Sequence, residues 1–355
     1  KFTKPDKFSG LPKKEDLEFQ PRNDLELYFP WNIGIEGAID IAQRCEASAL
    51  RTDKYIKNSE GAAVTIHHSN FFSVNSLGFE GGYKQSRHTV SVAPIATKNG
   101  EMERDYWYSS DRNFNNLATP EDVGSYAARR ALARLGSRRI STRKSPVLFD
   151  APIAASLLGS FVQAISGASL YKHLTFLDRS LDTMIFLESI CIEENPFLIG
   201  EMGSAPFDDE GVKVRPRLVV ENGVIKGYFL SSYSAKRLNT HTTGNAGGSH
   251  NLRMFDTNSH SGNNLNEMFK LMGNGLFVTE LMGQGVNIIT GDYSRGVSGF
   301  WIQNGQISFP VYEITIAGNL KEMFQNILSI GTDEYRRGSK TTGSVLIETM
   351  TIGGS

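Results

Sequence analysis

The chain has 355 residues, 39% of them hydrophobic, so it is long enough for two domains and excludes wholesale disorder. Its 37 basic and 38 acidic residues leave a net charge of −1, which supplies no basic field for a general nucleic-acid binder. Two cysteines, Cys45 and Cys191, cannot build a disulfide framework and suit a reducing cytosol. Glycine is uneven: 10 of the 35 fall in residues 1–150 and 25 in residues 151–355, so two regions built differently are expected. The chain begins at Lys1 rather than methionine, and a natural N-terminal segment is expected to precede it. No apolar run follows Lys1, Lys4 and Lys7, so no signal peptide is expected. The uncharged stretch 151–171 carries Pro152, Gly159, Gln163 and Gly167, and reads as a buried helix rather than a membrane span.

Residues 1–30, with prolines at 5, 12, 21 and 30, read as an irregular arm or linker. From 33 to 50, Ile35, Ile39, Ala42 and Ala49 recur at helical spacing and predict an amphipathic helix. Residues 60–110 switch to β-branched and aromatic runs, and Asn99-Gly100 marks a type I′ hairpin. A second helix is predicted from Thr119 as N-cap, with Pro120 at the first helical position, to about Leu135. Seven basic residues with no acidic one between Arg129 and Lys144 read as a solvated helix end and linker, with a patch for an anionic partner as the other reading.

A boundary near 145 divides a 31–145 α/β domain from a 146–355 region. That region opens with a strand at 146–149 and one charge-free helix at 153–171. Asn222-Gly223 and Asn304-Gly305 predict two more hairpins, and helices are predicted at 265–272 and 320–330. The fold class is α+β: a mixed α/β first domain, then a β-rich, hairpin-containing C-terminal domain with a few helices.

Motifs that carry chemistry are mostly absent from the sequence. The histidines at 67, 68, 88, 173, 241, 250 and 260 never pair across a helical turn, and no His-Glu dipeptide occurs. His67 and His68 are neighbours on a predicted strand, where they point to opposite faces. No serine-hydrolase elbow, Walker A loop or complete dinucleotide loop is present. "FDDEG" at 207–211 reads as a structural loop, with a site for a cation or a substrate amine as the other reading. The site-like stretches are "TGNAGGSHN" at 243–251, offering Asn245, His250 and Asn251, and "TGDYSRG" at 290–296, offering Asp292 and Arg295.

Taken together, "PFDDEGV", "YFLSSYSAKRL", "TGNAGGSHN", "VTELMGQGVNIITGDYSRGVSGFWIQNGQI" and "EITIAGNL" resemble the PmbA (TldE) branch of the TldD/PmbA proteins. "GEMERDYWY" and "TPEDVGSYAARRAL" extend the resemblance through the first domain. It implies a bacterial cytoplasmic protein that pairs with a TldD-type subunit as a heterodimeric metallopeptidase acting on unfolded, extended peptides. Microcin precursors and antitoxins are implied substrates, and modulation of DNA gyrase is an associated role. TldD-type chains carry an HExxxH zinc motif on the helix opening the C-terminal domain, and a cysteine near the C-terminus. Here that helix reads "LLGSFVQAISGAS", and Gly159, Ser160 and Ala164 occupy the motif's positions. The cysteine's neighbourhood reads "TTGSV", with Thr342 no substitute for a thiolate.

The resemblance therefore implies a subunit without catalytic or metal-binding residues of its own, with zinc expected in the TldD-type partner. Asn245, His250, Asp292 and Arg295 are the candidates for a peptide- or partner-facing surface, with fold-holding turns as the other reading of them. A homodimer is the alternative for the isolated chain. Two other functions stay open: a metal-free hydrolase using His250 or Asp292 with a serine, and a non-enzymatic modulator of DNA gyrase. Neither a membrane partner nor direct nucleic-acid binding is expected.

Overall fold

The structure, a computed structural model, describes residues 4–259 and 263–354; His260 lies outside the described residues. In the first part, α1 (Gly34–Thr52) leads into an antiparallel sheet of β1 (Ile56–Val74), β2 (Glu80–Lys98), β3 (Glu101–Arg104) and β4 (Trp107–Asp111), and α2 (Pro120–Ala133) follows. Strand β2 is central, paired with β1 on one side and with β3 and β4 on the other. Its alternate residues Val90, Val92 and Ala96 are buried under both helices, against Cys45 and Ala49 of α1 and Val123, Ala127 and Ala131 of α2. Thr119 caps α2 by accepting from the Asp122 N–H at 3.1 Å, with Pro120 in the first turn.

The buried stripe of α1 differs from the one its isoleucines predict. Ile35 and Ile39 are exposed, whereas Ala49 of the predicted stripe is buried together with Cys45. The small face is required by close helix contact: a Cβ on Gly124 of α2 would stand 2.1 Å from the Cys45 carbonyl oxygen. The β-type stretch predicted over 60–110 is also broken at Asp105, which turns inward between β3 and β4.

The second part is β-rich. In chain order it contains β5 (Arg143–Phe149), α3 (Ala151–Ala164), α4 (Gly167–Tyr171), β6 (Ile190–Asn195), β7 (Arg217–Glu221) and β8 (Val224–Ile225). There follow α5 (Ser232–Arg237), β9 (Asn251–Asp256), α6 (Leu265–Met272), β10 (Gly275–Met282), β11 (Asp292–Gln303) and β12 (Gln306–Asn319). The chain finishes with α7 (Leu320–Gln325), β13 (Ile327–Ile330), β14 (Tyr335–Arg337), β15 (Lys340–Thr342) and β16 (Val345–Gly353). One sheet runs β12-β11-β10-β5-β16-β13 and closes on itself through a β12–β16 pairing. The other runs β14-β15-β9-β6-β7-β8. Helix α3 lies between them, with Ala154, Leu157, Leu158, Phe161 and Ala164 in a core shared with Val147, Leu276, Leu252 and Ile192. The fold is α+β.

All three Asn-Gly pairs form the predicted turns, with positive φ at both residues: 53° and 83° at Asn99-Gly100, 50° and 76° at Asn222-Gly223, 52° and 72° at Asn304-Gly305. The helix predicted over 153–171 is two helices. Between them the Gly167 N–H donates to the Phe229 carbonyl and the Phe229 N–H to the Ile165 carbonyl, a β-type exchange that takes the backbone out of the helix. The helix predicted over 320–330 stops at Gln325, and Ile327 and Ile330 pair instead with Ile347 and Val345 of β16. Residues of the N-terminal arm lie across both parts: Leu17 bridges Val212 and is buried with Phe79 and Phe207.

Two helical glycines give opposite expectations. Gly124→Ala collides with α1 and is expected to cost about 1–3 kcal/mol. Gly159→Ala in α3 meets only the Lys340 Cε at 3.9 Å. It is expected to gain about 0.5–1 kcal/mol, because alanine loses less backbone entropy in a helix. Urea unfolding of the two variants checks the pair.

Candidate functional site

A cavity of about 510 Å³ opens where the first sheet and α2 meet α3, β10 and the β14–β15 hairpin. Its wall on the α3 side follows from helical periodicity: Pro152, Ala155, Ser156 and Gly159 face the cavity, while Ala154, Leu157, Leu158 and Phe161 face the core. The bare backbone at Gly159 is therefore a surface of the cavity, and no neighbouring group forces glycine there. From the first part come Tyr106, Trp107, Tyr108 and Arg130; from the hairpin come Tyr335, Arg337 and Lys340. The Trp107 ring sits 4.6 Å from that of Tyr126 and 5.8 Å from that of Tyr335, with the Arg130 guanidinium 5.1 Å from its centre.

Buried ion pairs fix this junction. The Asp105 carboxylate, 3% exposed, takes Arg130 at 3.2 Å and Arg134 at 3.5 Å. Arg134 also pairs with Glu280 at 2.5 Å, and Arg130 donates to the Thr279 carbonyl at 3.4 Å, so both arginines reach β10. Arg337 donates to the Pro152 carbonyl at 3.1 Å and to the Tyr106 hydroxyl at 3.3 Å. Burial pushes the Asp150 carboxyl up to about 6; the Arg130 charge opposes this rise and Asp333 adds to it.

The donor set of this cavity does not fit a zinc ion. No imidazole or thiol lines it, its carboxylates are Asp150 and Glu280, and cationic side chains surround them. Among the described residues, no three His, Cys, Asp or Glu side chains are grouped to hold a metal ion.

Of the residues singled out from sequence, Gly159 and Arg295 line this cavity. Arg295 donates through Nε to the Met282 carbonyl at 3.2 Å. Ser160 turns aside and donates to the Ser156 carbonyl at 3.2 Å, and Ala164 is wholly buried in the core. Thr342 is buried at the end of β15. Asp292 opens β11, and its carboxylate accepts from the Thr290 hydroxyl at 2.7 Å. Asn245 and His250 stand elsewhere, around the buried Glu194–Arg217 pair. Asn245 donates to Glu194 at 2.8 Å and accepts from Arg217 at 3.1 Å, while the His250 backbone N–H donates to Glu194 at 2.9 Å. The His250 ring donates to the Gly244 carbonyl at 3.0 Å, so the glycine loop is held to β6 and β7 by its own polar groups.

The "FDDEG" loop joins the same network, since Asp208 accepts from the backbone of Glu210, Val212 and Ala246. The basic run from Arg129 forms no common patch. Arg130 and Arg134 turn inward, Arg139 pairs with Glu313, and Arg138 and Arg143 lie over Phe309 and Trp301.

Comparison with known proteins follows the same division. The PmbA/TldA metallopeptidase central domain matches residues 28–135, and the C-terminal domain of that family matches residues 142–354. The chain is 46% identical over 354 residues to Metalloprotease PmbA of Escherichia coli O157:H7, covering 100% of this chain and 78% of that protein. A TldD homologue from Buchnera aphidicola is 24% identical over 297 residues, covering 75% of this chain and 62% of that one. A candidate modulator of DNA gyrase from Bacteroides thetaiotaomicron superposes with a TM-score of 0.91 at 26% identity, over 100% of this chain and 80% of that one. TldE from Thermococcus kodakarensis, at 21% identity over 99% of this chain and 81% of that one, shares the fold with a TM-score of 0.82.

Asp150 gives an unusual pH dependence. Its carboxyl titrates near 6 when folded and at about the ordinary value of 3.8 when unfolded. The folded state thus holds the extra proton between those values, and stability contributed by this group falls as pH rises through the window. Asp150→Asn is expected to raise the unfolding midpoint more at pH 8 than at pH 5, as thermal melts of both proteins would register.

Proposed function

The chain belongs to the PmbA/TldD metallopeptidase family, and from that premise we propose that it is the PmbA (TldE)-type subunit of a heteromeric peptidase. In this reading the zinc and the cleavage chemistry reside in a TldD-type partner. This chain completes the chamber in which an extended, unfolded peptide is held. The observation that carries the reading is the helix α3 wall: at Gly159, where a zinc-type chain would present its first histidine, the cavity meets backbone alone.

The surroundings support peptide handling. The cavity is walled by Tyr106, Trp107, Tyr108 and Tyr335, whose flat faces suit side chains of varied shape. Strand β14 lines it and is the terminal strand of its sheet. A terminal strand offers backbone groups to an extended peptide, giving affinity without demanding sequence. The relatives named metalloprotease support the peptidase class, and the TldD and TldE relatives support assembly between the two branches. Direct DNA contact is disfavoured, because the arginines of the basic run are engaged with Asp105, Glu280, Glu313 and aromatic rings.

The chain purified alone is expected to carry far less than one equivalent of zinc by elemental analysis. Peptide cleavage is expected only when a TldD-type subunit is added, and a chelator should abolish it. Stoichiometric zinc in this chain, or chelator-resistant cleavage by it alone, would contradict the proposal.

A further inference from the structure

The β14–β15 hairpin places two cations side by side. Arg337 and Lys340 are direct cross-strand partners across the turn at Gly338-Ser339, and both line the 510 Å³ cavity. Like charges directly opposite one another repel, so this arrangement costs stability unless an anion stands between them. Among the described residues no carboxylate does so. Glu280 is taken by Arg134, and the charges acting on Asp150 are those of Arg130 and Asp333.

Arg337 spends two N–H groups on the neutral oxygens of Pro152 and Tyr106. Lys340 Nζ makes no ion pair and no hydrogen bond within the described residues. Burial draws its ammonium below the usual range, with no acidic neighbour to offset it. The surroundings enforce the placement: Lys340 starts a strand fixed to Leu252 of β9, and its stem passes the bare backbone of Gly159.

We propose that this cavity takes a carboxylate of the bound peptide, with Lys340 as its counter-ion and Arg337 completing the charge. The inference deepens the reading of the chain as a peptide-handling subunit and rests on it. Such a carboxylate exists at a peptide's C-terminus and on aspartate or glutamate side chains. A partly buried ammonium without a counter-ion suits either, since the charge-assisted bond forms in a site already shielded from water. The location of Lys340 beside Gly159 gives the subunit a role for the very wall that presents no metal donor. A peptide end anchored there would fix how far the rest of the strand extends toward the partner.

The test is calorimetric titration of the full-length protein, alone and with its TldD-type partner under a chelator that stops cleavage. The probes are acetyl-trialanine as the free acid, the same peptide as its C-terminal amide, and an amide carrying one internal glutamate. The free acid is expected to bind about tenfold or more tightly than the plain amide. Lys340→Met should remove that preference, while Lys340→Arg, which keeps the charge, should retain it. Equal preference for the glutamate-bearing amide identifies the side chain as an accepted source, and rejection of it restricts the site to the terminus. Equal binding of acid and plain amide, no binding of either, or a preference that survives Lys340→Met would overturn the proposal. The titration of the chain alone reads this site whether or not a partner is captured. Failure here is therefore separate from failure of the assembly.

Discussion

The junction between the two halves of the molecule depends on one buried carboxylate. Asp105 sits where β3 breaks from β4 and gathers Arg130 and Arg134, which carry the contact onward to Thr279 and Glu280 of β10. Taking these charges out of water is costly, and only their mutual pairing offsets the cost. Removing one partner would leave an uncompensated buried charge, so the group acts as a unit. Because it ties the edge of the first sheet to the closed barrel, it also fixes the gap between them. The cavity is that gap.

The rest of the site is arranged around this constraint. Arg337 makes a second tie, from β14 to the Tyr106 hydroxyl and to the first turn of α3. Trp107 is held between Tyr126 and Tyr335, one from each half. The result is a chamber whose aromatic walls are rigid and whose charges are mostly positive, with α3 presenting small residues along one side. A zinc ion would find no imidazole or thiol donor in such a place.

Local signals made much of the fold legible in the sequence. The three Asn-Gly turns, the Thr119-Pro120 helix start and the 265–272 helix all depend on residues within a few positions of one another. Where distant parts of the chain decide the outcome, the sequence misleads. Phe229 interrupts the helix at Ser166, strand β16 draws Ile327 to Ile330 into the barrel, and Gly124 lets α1 approach through Cys45 rather than its isoleucines. The site was less legible for the same reason. Glycine-rich polar loops make Asn245 and His250 look site-like, whereas the fold uses them to hold Glu194 and Arg217. Lys340, Arg337, Asp150 and Tyr106 form no motif in the sequence, because they come from segments far apart in it. One trace was available: Tyr335 and Arg337 alternate along a strand that turns at Gly338, which puts Lys340 on the same face.

In the proposed assembly the cavity at Gly159 handles peptide without metal while the zinc lies in a partner chain. Anomalous diffraction at the zinc absorption edge, from crystals of the two-chain complex with a bound peptide, tests this most directly. A zinc peak is expected within the TldD-type chain, with none within coordinating distance of the α3 wall and with peptide density beside Tyr335 and Lys340. A zinc peak in the cavity of this chain would contradict it.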